Sequence, residues 1–306
     1  MTTRYCHEKI AYVIISYRSK IKGRIQIMEN YSIKILEYAN TDSAPVSAQI
    51  ASAHNAGFMN LTMSYPLIQG NGHNILQDCG VNYYEPESKA ICEAYAFKNV
   101  KMPKEVLARV GLTPEDIDTI IMSHCHFDHM GGLKLFPNAH FYIQKDELLK
   151  SLAALSLPKK LNRAKNAFLP CDIKTACEYI CNGRMTLLDG DQQIFDGIRV
   201  VALPMGHSYC GEMVLVEVEE NGKKIEKVLS GDVAYVQENV LGINNDGVYV
   251  PFTAVGSPIT VVEHIDKAYS LAGYDIKNLI FNHEVRNYET YESVTYEDGL
   301  HVATVI

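Results

Sequence analysis

The chain has 306 residues, 47% of them hydrophobic, with a formal net charge of −8 at pH 7. That length buries a sizeable core in one large domain or two small ones, and the acidic balance argues against nucleic acid as a partner. No run of 18 or more apolar residues suggests a membrane span, and nothing at the N-terminus reads as a signal peptide. Eight cysteines without a Cys-x-x-Cys pair point to reduced thiols and a cytoplasmic protein.

Residues 1–30 are the least informative stretch and are read as an extension of unclear role ahead of a single domain over 31–306. Within them residues 11–17 are apolar but short, and run into Arg18, Lys20, Lys22 and Arg24. Residues 31–39 alternate and predict a strand; residues 40–59 are small and polar and read as a loop. Strands are predicted over 60–68 and 72–79, with a hairpin signal at Gly70-Asn71-Gly72. Residues 101–110 have helical spacing up to Gly111, and Thr113-Pro114-Glu115-Asp116 predicts one capped turn. A strand over 117–122 leads into Ser123-His124-Cys125-His126-Phe127-Asp128-His129-Met130-Gly131-Gly132.

After a strand at 140–144, residues 145–182 read as a mostly helical insertion broken at Pro158 and Pro170, a candidate lid or partner surface. Its basic run, Lys159, Lys160, Arg163 and Lys165, reads as a solvated helix face. Strands follow at 185–188, 193–196, 199–203, 213–219 and 224–230, separated by Asp189-Gly190, Asp196-Gly197 and Asn221-Gly222. A helix over 258–271 and a strand over 279–282 precede His283. Two strand-rich halves with helices between and after them predict a layered α/β fold of two packed sheets.

Four apolar strands end in ligand-type residues, near His124, His207, Asp232 and His283. If those ends converge, His124, His126, Asp128, His129, His207, Asp232 and His283 meet. Such a set of imidazoles and carboxylates suits two divalent ions such as zinc, and a carboxylate can bridge two ions. Asp78 either turns the chain at a strand end or orients a ligand histidine. Cys125 and Cys210 are read as packing residues, and Gly131 and Gly132 as letting the backbone pass close to the site. His7, His54, His73, His140, His264 and His301 read as ordinary packed or surface histidines. A metal-stabilised binding protein without turnover is the competing class, but a structural zinc site closes at four ligands and needs no second ion.

The motif His-x-His-x-Asp-His at 124–129, followed in order by Gly206-His207, Ser230-Gly231-Asp232 and Asn282-His283, resembles the metallo-β-lactamase superfamily over residues 60–285. The resemblance implies a four-layer αββα sandwich of two mixed sheets flanked by helices. It implies one metal on His124, His126 and His207, a second on Asp128, His129 and His283, and Asp232 bridging them. Tyr235, three residues after Asp232, resembles the N-acyl homoserine lactonase branch, where a tyrosine at this spacing assists at the substrate carbonyl or leaving oxygen. Leu76-Gln77-Asp78-Cys79-Gly80 and His207-Ser208-Tyr209-Cys210-Gly211 depart from that branch's usual Val-Asp-Thr-Gly and His-Thr-Pro-Gly.

The implied function is a zinc-dependent quorum-quenching lactonase, opening an N-acyl homoserine lactone-like ring by attack of a metal-bridging hydroxide. Asp128 would relay a proton, and residues 145–170 and 236–256 would hold the acyl part. A thioesterase of the glyoxalase II kind, a β-lactamase or another ester or amide hydrolase of the superfamily is the alternative. The implied partner is a small-molecule acyl substrate, with a homodimer left open.

Overall fold

Alternating burial on both faces explains why so many strands read as continuous apolar runs. In strand β1 (Ser32–Pro45) Ile33 and Ile35 face one layer while Leu36 and Tyr38 face another. The same split divides Leu67 from Ile68 in β2 (Phe58–Gly70), and Leu76 from Ile75 in β3 (His73–Gln77). It recurs at Ile120 and Ile121 of β4 (Thr119–Ile121). The computed structural model describes residues 30–165 and 167–306, so the expectations for residues 1–29 lie outside the described residues.

The strands continue as β5 (His140–Gln144), β6 (Met185–Leu188), β7 (Gln192–Phe195), β8 (Ile198–Pro204), β9 (Cys210–Glu220), β10 (Lys223–Leu229), β11 (Leu279–Ile280), β12 (Glu292–Thr295) and β13 (His301–Thr304). They form an eight-stranded sheet, β12-β13-β1-β2-β3-β4-β5-β6, and a five-stranded sheet, β11-β10-β9-β8-β7. Both sheets are mixed: β3 to β6 pair in parallel and β1 with β2 antiparallel, while β10 pairs β11 in parallel and β9 antiparallel.

Ile33, Ile75 and Ile121 of the first sheet pack with Val200, Val214, Val216 and Leu229 of the second. The outer face of the second sheet, Val201, Met213 and Leu215, is covered by Val261, Ile265 and Ala268 of the helix Pro258–Leu271. The outer face of the first is covered by helices that include Pro103–Ala108, Lys145–Leu155 and Pro170–Cys181. This is the αββα sandwich.

Both Asn-Gly hairpins form as read. Asn71 and Gly72 have φ of 51° and 82°, and Asn221 and Gly222 have 53° and 72°, the left-handed pair that a two-residue turn between twisted strands requires. Thr113 and Asp116 cap their turn reciprocally, the Thr113 N–H and hydroxyl both donating to the Asp116 carboxylate. The helical reading of 145–182 resolves into Lys145–Leu155, a 3₁₀ stretch Lys159–Lys165 and Pro170–Cys181.

The loop expected over residues 40–59 is confined to residues 50–57. β1 runs on to Pro45, pairing Thr41 with Leu61 and Pro45 with Phe58, and a short helix, Val46–Gln49, follows. Register shifts between Glu37 and Ala39 and between Thr41 and Ala44 interrupt the inside-outside alternation, so the strand carries polar residues where its period breaks. The helix Pro86–Ala94 and the C-terminal pair β12-β13, which extends the first sheet beyond β1, had no clear periodic signal. Among the described residues no helix is long and apolar enough to cross a membrane, and the cysteines are free.

Candidate metal centre

The ligand-type residues stand where strands run out. β4 ends at Ile121 and the chain turns through Ser123 into His124 and His126, with Asp128 and His129 on the single helical turn Phe127–Met130. His207 lies between β8 and β9, Asp232 just past β10, and His283 just past β11. β10 and β11 are parallel neighbours, so their C-terminal ends deliver Asp232 and His283 to one edge.

All seven predicted residues meet. Ligand atoms of His124, His126, His207 and Asp232 lie within 4.8 Å of one another, as do those of Asp128, His129 and His283. Asp232 faces both groups: Oδ2 is 3.3 Å from His207 Nε2 and 3.8 Å from His124 Nε2, while Oδ1 is 3.3 Å from His129 Nε2 and 3.1 Å from His283 Nε2. His126 Nδ1 and His207 Nε2 stand 3.0 Å apart. Asp128 Oδ2 is 3.6 Å from His129 Nε2 and 3.8 Å from His283 Nε2.

Around this centre the other ring nitrogens are fixed by neighbours, which sets the face each imidazole presents. His283 Nδ1 donates to the Thr62 carbonyl at 2.9 Å, and His207 Nδ1 to the Thr253 carbonyl at 3.0 Å. His129 Nδ1 lies 2.7 Å from Asp78 Oδ2, and His124 Nδ1 lies 3.0 Å from the Ser123 hydroxyl. Asp78 therefore has both roles that the sequence left open. It turns the chain, with φ of 67°, and its carboxylate accepts from the Ser123 N–H, the Ser123 hydroxyl and the Asn282 amide as well as facing His129.

The inward atoms have no such partners. Nε2 of His124, His129 and His283 and both carboxylate oxygens of Asp232 are buried without a hydrogen bond. Five buried polar atoms that face one another around one point without hydrogen-bond geometry would be costly unless a shared guest satisfies them. Imidazole nitrogens and carboxylate oxygens are the donors that divalent cations such as zinc accept, so the residues fit such ions. The charges agree. Burial pushes the imidazoles of His124 and His126 well below their usual pKa, toward the neutral form that ligates. At His129 and His283 burial pushes the same way but the facing Asp232 and Asp128 outweigh it, and burial of Asp232 is likewise outweighed by His129 and His283. Cations would take the place of those protons.

Tyr235 also reaches the centre. Its ring stacks on His283 at 4.9 Å and 17°, and its hydroxyl is 3.4 Å from His207 Nε2. Burial raises its pKa well above the usual range, so the hydroxyl keeps its proton. Cys125 and Cys210 are buried and join neither ligand group. Gly132 is required: a Cβ there would collide with the Cys79 carbonyl.

A cavity of about 430 Å³ opens onto the ligands, reached by His126, Asp128, His207, Tyr235 and His283. The expected walls, residues 145–170 and 236–256, supply only Arg163, Ala167 and residues 253–255. Much of the rest comes from residues 41–49, Leu61, Met63 and 94–97, because the extended β1 and the chain after the helix Pro86–Ala94 close over the site.

Three supporting residues escaped the sequence reading. Glu147, fully buried, accepts the N–H groups of Cys125 at 2.9 Å and Cys210 at 2.6 Å, tying the His124–His126 loop to the His207 loop. Its signal was an acid on the buried stripe of a helix, with Leu148, Ser151 and Ala154. The Tyr38 hydroxyl donates to the Asp128 carbonyl at 2.6 Å. Glu284 accepts from the Gln237 N–H and from Arg286, holding the segment after Tyr235 against the segment after His283.

The family model described as the metallo-beta-lactamase superfamily matches residues 64–145. An N-acyl homoserine lactonase of Bacillus cereus is 29% identical over 189 residues, 59% of this chain and 67% of that protein. Another, from a Bacillus sp., is 31% identical over 156 residues, 51% of this chain and 52% of the relative, so the chain spans about half of that relative's length. A solved N-acyl homoserine lactone hydrolase, with the product N-hexanoyl-L-homoserine bound at its catalytic metal center, superposes with a TM-score of 0.63 at 21% identity. The superposition covers 86% of this chain and 97% of that one.

Proposed function

We propose that this chain, which matches the metallo-beta-lactamase superfamily model over residues 64–145, is a two-metal hydrolase that opens the lactone ring of an N-acyl homoserine lactone-like substrate. The observation that carries this reading is the set of seven candidate ligand side chains, with five buried atoms lacking hydrogen bonds, beneath a cavity large enough for a small acyl compound. His124, His126 and His207 would hold one ion, Asp128, His129 and His283 the other, and Asp232 would bridge, with zinc the ion best matched to this donor set. Bound there, such ions supply Lewis acidity and make water nucleophilic near neutral pH.

The chain's own residues do the rest. Water adds to the ring carbonyl carbon, the ring carbon–oxygen bond breaks, and the released alkoxide takes a proton to give a hydroxy acid. Asp128 is the ligand acid that faces the cavity: its side chain is 13% exposed against 2% for Asp232. We assign it the transfer of that proton from the attacking water to the departing oxygen. The Tyr235 hydroxyl, held by stacking on His283, donates to the oxygen that gains charge. Thr62, Thr253 and Asp78 keep the imidazoles aimed as the charge moves.

The test is a panel of homoserine lactones of several chain lengths, thioesters, β-lactams and phosphodiesters, each with and without chelator. Chelator-sensitive turnover of lactones above the other classes is expected. Turnover of another class with every lactone untouched contradicts the proposal.

A further inference from the structure

We propose that Arg163 gives the cavity a second pole, and that the substrate carries a carboxylate on its acyl arm, away from the bond that is broken. This rests on the hydrolase reading above. Apart from the ligand residues and Tyr235, the wall is largely small and apolar, with Ala44, Ala48, Ala96 and Ala254 among its members. Among the described residues that line it, Arg163 is the only lysine or arginine.

No carboxylate of the described residues forms an ion pair with Arg163. That contrasts with Arg199 and Arg286, each held by glutamate. A guanidinium is a planar fork of donors suited to a carboxylate, and this one is left available beside a cavity.

Its placement is fixed rather than incidental. The Tyr209 hydroxyl donates to the Ala164 carbonyl at 2.8 Å, and Lys165 Nζ donates to the carbonyls of Leu155 and Leu157. Further on, the Phe127 N–H donates to the Ala167 carbonyl at 2.9 Å, and the Phe168 ring lies 5.0 Å from that of His126. The segment carrying Arg163 is thus fastened to the loop that carries the ligands.

Charge points the same way. With a net charge of −8 the chain repels anions at long range, and an anionic arm needs a local attraction to enter. Lys159 and Lys160 lie in the same 3₁₀ stretch as Arg163 and are exposed, as the solvated-face reading expects, and of the basic run only Arg163 lines the cavity.

The test separates this claim from the reaction. Binding of octanoate and of suberate, its dicarboxylate counterpart, is measured by calorimetry on the zinc-loaded protein and on R163A, R163K and R163E. Arg163 is exposed, so these variants keep the fold. Suberate is expected to bind about three- to tenfold more tightly than octanoate, the range of a partly exposed charge-assisted pair. R163A should abolish that preference, R163K keep part of it, R163E reverse it, and added salt weaken it. Equal binding of the two acids to the wild type, or a preference untouched in R163A, overturns the proposal whether or not any lactone is hydrolysed.

In kinetics, a homoserine lactone with an ω-carboxylated octanoyl chain should show a lower KM than its neutral analogue at similar kcat. R163A should raise only the KM of the charged lactone. Turnover of both lactones with the same KM in wild type and R163A keeps the hydrolase reading and sinks the role of Arg163. A suberate preference without turnover of any lactone does the reverse.

Discussion

Glu147 offers the sharpest test of how the centre is held together. Its two carboxylate oxygens accept one backbone N–H each, from Cys125 between His124 and His126 and from Cys210 three residues past His207. Glu147→Gln keeps the shape but replaces one oxygen with an amide donor, which then faces an N–H that has lost its acceptor. A buried donor left unsatisfied costs about 1–3 kcal/mol, and the lost charge-assisted bond brings the sum to about 2–4 kcal/mol. For a chain of this size that lowers the melting temperature by about 5–10 °C.

Because both loops carry candidate ligands to the same group, zinc affinity should also fall, by about 10- to 100-fold, as for other residues that orient ligands. Melting followed by circular dichroism and zinc competition against a chromophoric chelator measure the two effects. A variant melting within about 1 °C of wild type with unchanged zinc affinity would refute the claim that Glu147 couples the two loops.

Three further outcomes are expected. Asp78→Asn removes the carboxylate facing His129 Nδ1 and should weaken zinc binding by about tenfold in chelator competition, with turnover falling in step. Tyr235→Phe should lower kcat by about 10- to 100-fold while leaving the metal content unchanged; equal turnover removes the hydroxyl from the reaction. Asp172 tests pH dependence: burial pushes its carboxyl up to about 7, and Oδ2 has no partner. Its folded pKa lies above the unfolded value, so it costs nothing below about pH 4, and the fold loses about 2–4 kcal/mol as pH rises from about 4 to about 7. Asp172→Asn should flatten that fall in urea denaturation at pH 5 and pH 8, and identical profiles would refute the assignment.

The candidate ligand set was legible because its four segments each follow an apolar run that both faces of a sandwich bury, a pattern that marks strand ends without any knowledge of the pairing. The hairpins at Asn71-Gly72 and Asn221-Gly222 were legible because their φ values are those of the residues chosen. The cavity wall was not. Residues 41–45 lie in a strand whose shifted register breaks the two-residue period, and residues 94–97 lie at and beyond the end of a short helix, where no periodic pattern continues. The partners of Glu147 and Glu284 were invisible for a different reason: each satisfies backbone N–H groups distant in sequence, so the acid on the buried stripe of its helix marks Glu147 but no local pattern records what either glutamate holds.

The seven side chains make one claim above all: that they hold two divalent ions for hydrolysis. Elemental analysis of the zinc-loaded protein, read beside lactone turnover, tests it most directly. Two ions per chain are predicted, falling to one, with turnover lost, in His283→Ala. A single ion per chain in the fully active wild type, or activity that survives complete removal of metal, would contradict it.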